Sequence, residues 1–241
     1  MAVSFNNTNT AQNYAGSSFT DTTNFSVTAG GSNLCAFAVL EFDDFAGGSL
    51  QSVTSITYGG RTMTPCSSVL YSSAGLNIQA FYLVNPPTGL NTLVVTCSAA
   101  VAEIYANIVS FSNVNQTTPM RPSTYQTQIG TAENPSSVTM TISSATTDLT
   151  LSICCSPAPQ TTNQTVDSSN VVGTYNLYSD HCTTPASSIT DTWTLSGGTG
   201  YAFLGFSIQP PSLGTAGLLR QESNPGHFLL ESGTGRIQLE D

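Results

Sequence analysis

Short apolar runs, alternating or continuous, recur along most of the chain and are separated by clusters of Gly, Pro, Asn and Ser. A period of two is typical of β-strands, whose successive residues point to opposite faces of a sheet. Helical spacing of apolar residues is nearly absent. The runs predict strands at 24–29, 33–42, 53–65 (two strands turned at Gly59 and Gly60), 76–98 (two strands around 86–89), 104–114, 136–143, 148–156, 187–196 and 201–210.

Together these strands predict an all-β fold, an antiparallel two-sheet sandwich of the jelly-roll type. The continuous apolar run 33–42 is expected to be a central strand, and Trp193 is expected in the core because its strand alternates. The polar stretches 115–135 and 157–187 are interpreted as loops at the ends of the sandwich. Charged side chains, which often protect sheet edges, are scarce, so we expect loops, terminal segments or neighbouring copies to cover the edges.

The pattern changes after residue 210, where "QPPSLGTAG" is typical of a linker. We therefore divide the chain into a sandwich domain (1–210), a linker (211–217) and a C-terminal segment (218–241). In that segment "HFLLE" and "RIQLE" alternate and predict a hairpin turned at 232–235, to which "GLLRQE" can add a third strand.

A lone two-stranded hairpin is only marginally stable in water, so this one needs a partner. The partner is either the sandwich of the same molecule or a neighbouring subunit, and we predict the neighbouring subunit. The segment is then an assembly or docking element. The apolar residues assigned to its interface are Leu218, Leu219, Phe228, Leu230, Ile237 and Leu239.

Composition narrows the classes of partner. Charged residues make up only 7% of the chain, there is no lysine, and the formal net charge is -10. Such a surface repels nucleic-acid phosphates and anionic lipids, so we expect no nucleic acid and no membrane as a partner. The start "MAVSFNNTNTAQNY" lacks the basic and apolar regions of a secretory signal, and no apolar run is long enough to span a bilayer. We therefore expect synthesis in a host cytoplasm.

The six cysteines are expected to be buried thiols rather than disulfides, as is usual for cytoplasmic proteins. "SDHC" places Asp180, His181 and Cys182 side by side, but neighbours on an extended segment point apart and do not form a catalytic dyad. We interpret His181 as a loop histidine beside a partly buried thiol. A zinc site with Cys154 and Cys155 is the less favoured alternative, since the paired spacing of structural zinc sites is missing.

In "EFDDF", Glu41, Asp43 and Asp44 could offer oxygen ligands to calcium, but a solvated strand end is the favoured interpretation. No phosphate-binding loop, dinucleotide fingerprint, nucleophile elbow or zinc-protease motif is present, so we expect no cofactor and assign no catalytic residue. Four tyrosines in or near predicted loops are candidates for glycan contacts, although packing roles are favoured; they are Tyr71, Tyr125, Tyr175 and Tyr178.

Five stretches of the chain together resemble a β-sandwich domain that recurs in tailed-phage and bacterial surface proteins. They are "SITYGG", "FYLVNPPTGLNTLVVT", "IVSFSNVNQTTP", "TDLTLS" and "WTLSGGTGYAFLGFSIQP", within residues 24–210. The ending "LLRQESNPGHFLLESGTGRIQLED" is similar to the Leu- and Glu-rich endings of proteins encoded by tailed phages. The resemblance implies a non-enzymatic role in a virion or on a cell surface.

We therefore predict a structural protein of a phage virion, on the capsid surface, that decorates and stabilises the assembled head. Its partners would be the major capsid protein and copies of itself in a homo-oligomer such as a trimer. The first alternative is a tail or fibre adhesin that binds host glycans. The second is a glycan-acting enzyme on a jelly roll, for which Glu41, Glu103, Asp148 and Asp191 are available carboxylates although no motif selects a pair.

Overall fold

A computed structural model of the chain describes residues 2–43, 51–66, 70–71, 76–122, 124, 126–130, 136–157, 160–171, 176–182, 184–196, 200–212, 219–221 and 228–230. The regular secondary structure of these residues consists of β-strands alone, which confirms the predicted all-β fold. The chain divides into two compact units, Met1–Pro210 and Pro211–Asp241. Within the described ranges no helix is long and apolar enough to cross a membrane.

The strands of the first unit vary in length from two residues to twenty. In chain order they are β1 (Ser4–Asp21), β2 (Ser26–Val27), β3 (Cys35–Asp43), β4 (Val53–Tyr58), β5 (Arg61–Thr62), β6 (Thr64–Pro65), β7 (Leu70–Tyr71), β8 (Leu76–Val84), β9 (Gly89–Leu90), β10 (Leu93–Ser112), β11 (Gln126–Gly130), β12 (Ser137–Ser143), β13 (Leu149–Ser156), β14 (Gln160–Thr162), β15 (Thr165–Val171), β16 (Asn176–His181), β17 (Ser188–Leu195) and β18 (Tyr201–Ile208).

These strands pair antiparallel in three main sheets. The large sheet has eight strands in the order β5-β4-β10-β3-β8-β6, with β1 paired to β10 and β7 paired to β8. The middle sheet has the order β11-β18-β13-β16-β15, and the outer sheet has the order β12-β17-β14. A further short ladder joins β2 to β9. Strand β3 is central in the large sheet, as its continuous apolar run predicts.

The sheets stack as layers because the middle sheet buries both of its faces. One core lies between the large and middle sheets and contains Phe37, Phe111 and Phe206. Another lies between the middle and outer sheets and contains Trp193 and Phe203, which confirms the core position predicted for the tryptophan. The outer sheet is thus a third layer added to the predicted two-sheet sandwich.

A third core lies on the face of the large sheet that points away from the middle sheet. Phe25 and Val27, from the segment around β2, pack there together with residues of the sheet such as Phe42 and Tyr58. The Tyr58 hydroxyl donates to the carbonyl oxygen of Gly89 (3.2 Å) and accepts from the Val27 amide (3.2 Å). The short β2–β9 ladder is therefore held to the large sheet by both apolar and polar contacts.

The two longest strands of the large sheet, β1 and β10, pair with each other. Strand β10 runs unbroken where the apolar pattern predicts two strands, because "SAAVAE" between them holds no glycine or proline. Its pairing to β1 is irregular there, since Gly16 lies opposite Val101 and Ser18 opposite Thr96. The polar sequence of β1 predicts no strand at all. It forms one because β10 offers it a partner along most of its length, from Ser4 opposite Ser112 to Asp21 opposite Leu93, with two register shifts between these ends.

The predicted loops at 115–135 and 157–187 are wrong in part. The first stretch contains β11, and the second contains β14, β15 and β16. The apolar pattern does not predict these strands because several of their buried positions are polar, including Ser168, Asn170 and Ser179. The predicted turn at Gly59 and Gly60 is confirmed, since both have positive φ (55° and 74°) between paired strands β4 and β5.

In the second unit, β19 (Leu219–Gln221) pairs antiparallel with β20 (Phe228–Leu230). The register sets Leu219 opposite Leu230, and Gln221 opposite Phe228. Strand alternation therefore places these four residues on one side of the ladder and Arg220 and Leu229 on the other. The predicted partner strand at 236–240 lies outside the described residues.

Candidate functional site

A buried polar cluster lies between the middle and outer sheets. The middle sheet contributes Ser152 from β13 and Asp180 from β16, and the outer sheet contributes Thr162 from β14 and Asp191 from β17. Ser152, Asp180 and Asp191 are each only 1% exposed. Asp191 reaches this position because it lies on the inward face of β17, together with Ile189, Trp193 and Leu195.

Hydroxyl groups bridge the two carboxyls of this cluster. Ser152 Oγ contacts Asp180 Oδ1 and Asp191 Oδ2. Thr162 Oγ1 contacts Asp180 Oδ2, and lies 3.1 Å from Asp191 Oδ1. The indole Nε1 of Trp193 donates to Asp191 Oδ2 at 3.2 Å. Each carboxyl oxygen in the cluster therefore has a hydroxyl partner, and the pair spans two sheets.

Burial disfavours ionisation of both acids of this pair. Burial raises the pKa of Asp180 well above its usual range, and the negative charge of Asp191 raises it further. Burial likewise raises the pKa of Asp191, although hydrogen bonds with Ser152, Thr162, Trp193 and Asp180 oppose the change. The pKa of the nearby Cys154 thiol is also raised, first by burial and then by the two carboxyls.

A further acid, Asp167, lies on the other side of β16. Asp167 Oδ1 is 2.5 Å from His181 Nδ1, and the Asp167 side chain is 1% exposed. The His181 ring stacks on Phe5 with ring centroids 5.1 Å apart and meets Phe111 edge-on. Burial raises the pKa of Asp167, and the contact with His181 opposes that rise. His181 is thus packed against two aromatic rings, which fits a structural role.

The residues of "SDHC" separate as their extended conformation predicts. Asp180 contacts the outer sheet, whereas His181 contacts Asp167 and Phe5. The interpretation of His181 as a loop residue is wrong, because it ends strand β16. Cys182 is buried in the core between the large and middle sheets, and its Sγ accepts from the amide of Thr150 at 3.2 Å.

Another buried acid, Asp148, anchors the segment that follows β10. Asp148 is 0% exposed and accepts two bonds from Arg121, Nε to Oδ2 at 2.5 Å and Nη2 to Oδ1 at 2.8 Å. Its Oδ2 also accepts from Ser207 Oγ at 2.7 Å. Backbone bonds from Arg121 N to Ser207 O and from Gln209 N to Pro119 O hold the same segment to the end of β18.

This anchored segment forms one wall of a surface pocket of about 390 Å³. The facing wall comes from β6 and β8, and it presents the ring of Tyr82 and the thiol of Cys66. The lining residues are Pro65, Cys66, Tyr82, Thr117, Thr118, Pro119, Met120, Arg121 and Pro122. An aromatic ring, hydroxyls and a fixed guanidinium thus meet at one open surface.

The four carboxylates considered for glycan hydrolysis do not meet at this pocket. Glu41 is 0% exposed, Asp148 is paired with Arg121, and Asp191 belongs to the inter-sheet cluster. Glu103 Oε2 accepts from the hydroxyl of Tyr105 at 2.5 Å. The interpretation of "EFDDF" as a solvated strand end is wrong for Glu41; the side chain of Asp43 and all of Asp44 lie outside the described part.

The remaining predicted residues separate into described and undescribed groups. Tyr178 packs edge-on against Trp193 in the core, with ring centroids 5.9 Å apart. The side chain of Tyr71, and Tyr125 and Tyr175 entirely, lie outside the described residues. All six cysteines are free thiols, as expected; five are buried and Cys66 is partly exposed.

Of the six residues assigned to the docking face, three lie on described backbone. These are Leu219, Phe228 and Leu230, which share one side of the β19–β20 ladder by register. Leu218, Ile237 and Leu239 lie outside the described ranges. Among the described residues, no group of three or more His, Cys, Asp or Glu is placed to hold a metal ion.

Sequence reasoning missed the Asp180–Asp191 contact and the Arg121–Asp148 pair. A signal for the first exists: an aspartate occupies an inward position of the alternating strand "SITDTWTL", where an apolar residue is expected. For the second the sequence offers no comparable signal, because Arg121 lies in an irregular segment outside any periodic pattern.

No protein-family model and no curated protein matches the chain. Among solved structures, it is similar to dimeric latent PorU from Porphyromonas gingivalis, with 9% identity over 86% of this chain and 22% of that chain, at a TM-score of 0.25. It is also similar to native yeast LTA4 hydrolase, with 11% identity over 66% of this chain and 23% of that chain, at a TM-score of 0.15. The chain thus spans less than a quarter of either structure, and likenesses at this level identify neither a family nor a function.

Proposed function

We propose that this chain is a structural, non-enzymatic protein of a tailed-phage virion, an outer decoration protein that binds the assembled head. The observation that carries the proposal is the division of the chain into a sandwich with its own cores and a separate C-terminal unit. The described part of that unit is a two-stranded ladder with apolar residues sharing one side. A ladder of this size gains stability when a partner covers that side.

The mechanism is stabilisation by preferential binding. A protein that binds the closed shell but not its separated subunits shifts the equilibrium towards the shell by its binding free energy. Many copies on one lattice, or trimers at symmetric positions, add to that effect through multivalency. The major capsid protein would be the partner, and Leu219, Phe228 and Leu230 would lie at the contact.

A pair of adjacent leucines provides a matched test. Leu230→Asp places a charge on the shared apolar side of the ladder, and Leu229→Asp places the same charge on the opposite side. We expect Leu230→Asp to abolish binding to capsids that lack the protein, or its self-association measured by mass, and Leu229→Asp to retain both. Equal behaviour of the two variants would contradict the docking role.

The virion assignment has its own test, which is independent of the docking face. Quantitative mass spectrometry of purified virions gives the copy number of the chain per particle. We expect hundreds of copies for a decoration protein of the head, whereas a tail fibre contributes tens or fewer. Absence of the chain from the virions would overturn every virion role.

The second candidate, an adhesin for host glycans, is favoured by one observation. The pocket beside β8 combines the Tyr82 ring with Arg121 and threonine hydroxyls, and sugar recognition uses such a mixture of apolar surface and placed polar groups. Saturable binding on a glycan array, lost in Tyr82→Ala, would favour the adhesin over the decoration protein.

A further inference from the structure

The contact between Asp180 and Asp191 needs more hydrogen atoms than its hydroxyl groups supply. Four hydroxyl–carboxyl contacts join Ser152 and Thr162 to the two acids. Each hydroxyl carries one hydrogen, so only two of the four contacts can be hydrogen bonds when both carboxyls are ionised. The other two would then set oxygen lone pairs against each other. One proton on a carboxyl turns one of these contacts into a hydrogen bond, and two protons turn both into hydrogen bonds.

Among the residues that the structure describes, donors from the surroundings do not make up the difference. The Trp193 indole donates to Asp191 Oδ2, and the amide of Gln164 donates to Thr162 Oγ1 at 3.1 Å rather than to a carboxyl. The chain has no lysine. The arginines of the first unit are engaged elsewhere, Arg121 with Asp148, and Arg61 with the carbonyl oxygens of Asn85 and Val84.

The titratable groups around the pair are acids, apart from a histidine that bonds one of them. Strand β13 contributes the Cys154 thiol, and β15 contributes Asp167, with His181 of β16 behind it. Strand β18 contributes the phenol of Tyr201, which interacts with Cys154. Strands β12 and β14 contain no titratable side chain. Ionisation of both acids would therefore leave two buried charges facing each other across the two sheets.

We propose that Asp180 and Asp191 form a pH-sensitive contact between the middle and outer sheets, closed by protons shared between the carboxyls and opened when both ionise. The outer sheet (β12-β17-β14) then separates more readily from the middle sheet as the pH rises. The sign follows from linkage: the folded pair keeps protons that unfolded aspartates lose above about pH 4, so the free energy of unfolding falls as pH increases. Each extra proton held changes the unfolding equilibrium by up to tenfold per pH unit.

The only tryptophan of the chain reports on this contact directly, since Trp193 bonds Asp191. We expect its fluorescence to titrate above pH 4 in the full-length protein, with iodide quenching that rises with pH. In Asp191→Asn and Asp180→Asn we expect the pH titration of the fluorescence to be lost. We also expect the change of the unfolding equilibrium constant with pH to become smaller, by up to a factor of ten per pH unit. Asp21→Asn is the control, because the pKa of Asp21 is lowered and its titration lies below this range.

A wild-type measurement keeps the test decisive even if a variant does not fold. Infrared spectroscopy at pH 7 detects a buried protonated carboxyl by its carbonyl band and the shift of that band in heavy water. Presence of the band supports the proposal. Its absence, or an unfolding free energy that does not change from pH 5 to 8, overturns the proposal. Stabilisation by an added divalent cation that abolishes the titration would assign the cluster to a metal and overturn it as well.

Discussion

The Arg121–Asp148 pair allows a quantitative prediction about how the segment after β10 is held. Arg121→Met removes the guanidinium but keeps an unbranched apolar side chain of similar length. The change leaves Asp148, which is 0% exposed, with Ser207 as its remaining side-chain partner. Breaking one partner of a buried pair costs about 3 to 5 kcal/mol. Because the Arg121 side chain is 34% exposed and solvent screens it, we reduce this to about 2 to 3 kcal/mol.

In a protein of this size such a loss lowers the melting temperature by roughly 4 to 12 °C. Calorimetry or urea unfolding at pH 7 measures the loss.

Two further variants make the reasoning refutable. Arg61→Met removes the other arginine of the first unit, which bonds only backbone oxygens at the surface, and we expect it to cost under about 1 kcal/mol. Asp148→Asn on the Arg121→Met background removes the carboxyl group that has lost its arginine partner. The double variant should therefore be more stable at pH 7 than Arg121→Met alone. Equal losses of stability for Arg121→Met and Arg61→Met would refute the pairing argument.

Two other changes test the packing of the first unit. A methyl group at Gly205 would lie 2.5 Å from Cδ1 of the buried Ile142, so we expect Gly205→Ala to cost about 1 to 3 kcal/mol in urea unfolding. Ile142→Val removes that carbon, and the double variant should lose less stability than the two single variants added together. The thiols supply the second test: burial raises the pKa of Cys97 to about 11 and that of Cys35 still further. Alkylation at pH 8 should therefore be slow for both in the folded protein and complete for all six cysteines in urea, as read by mass; rapid labelling of the folded protein would contradict the burial.

The sequence predicts the strands whose inward positions are apolar, and misses those whose inward positions are polar. Strand β3 is evident because nearly every residue from Cys35 to Phe42 is apolar, as a central strand buried on both faces requires. Strands β15 and β16 escape because Ser168, Asn170 and Asp180 occupy buried positions that a hydrophobic pattern cannot identify. Polar core residues depend on partners distant in sequence, and local periodicity carries no information about those partners.

The same limit explains the candidate site. The opposite orientations of Asp180 and His181 follow from strand alternation alone and could be predicted. That Asp180 meets Asp191 depends on the third layer, since the two belong to different sheets. The third layer could not be foreseen, because the count of strands fits two sheets equally well.

The pairing of β1 with β10 has a consequence for synthesis. Ser4 and Ser112 are neighbours in the large sheet but lie 108 residues apart in the chain. On a ribosome the first strand must wait roughly 5 to 20 seconds for its partner to be made. Strand β1 consists mostly of Ser, Thr, Asn and Gln, and such a segment is a poor template for aggregation while it waits. The polar composition that hides this strand from sequence analysis therefore suits a segment that emerges before its partner strand and pairs late.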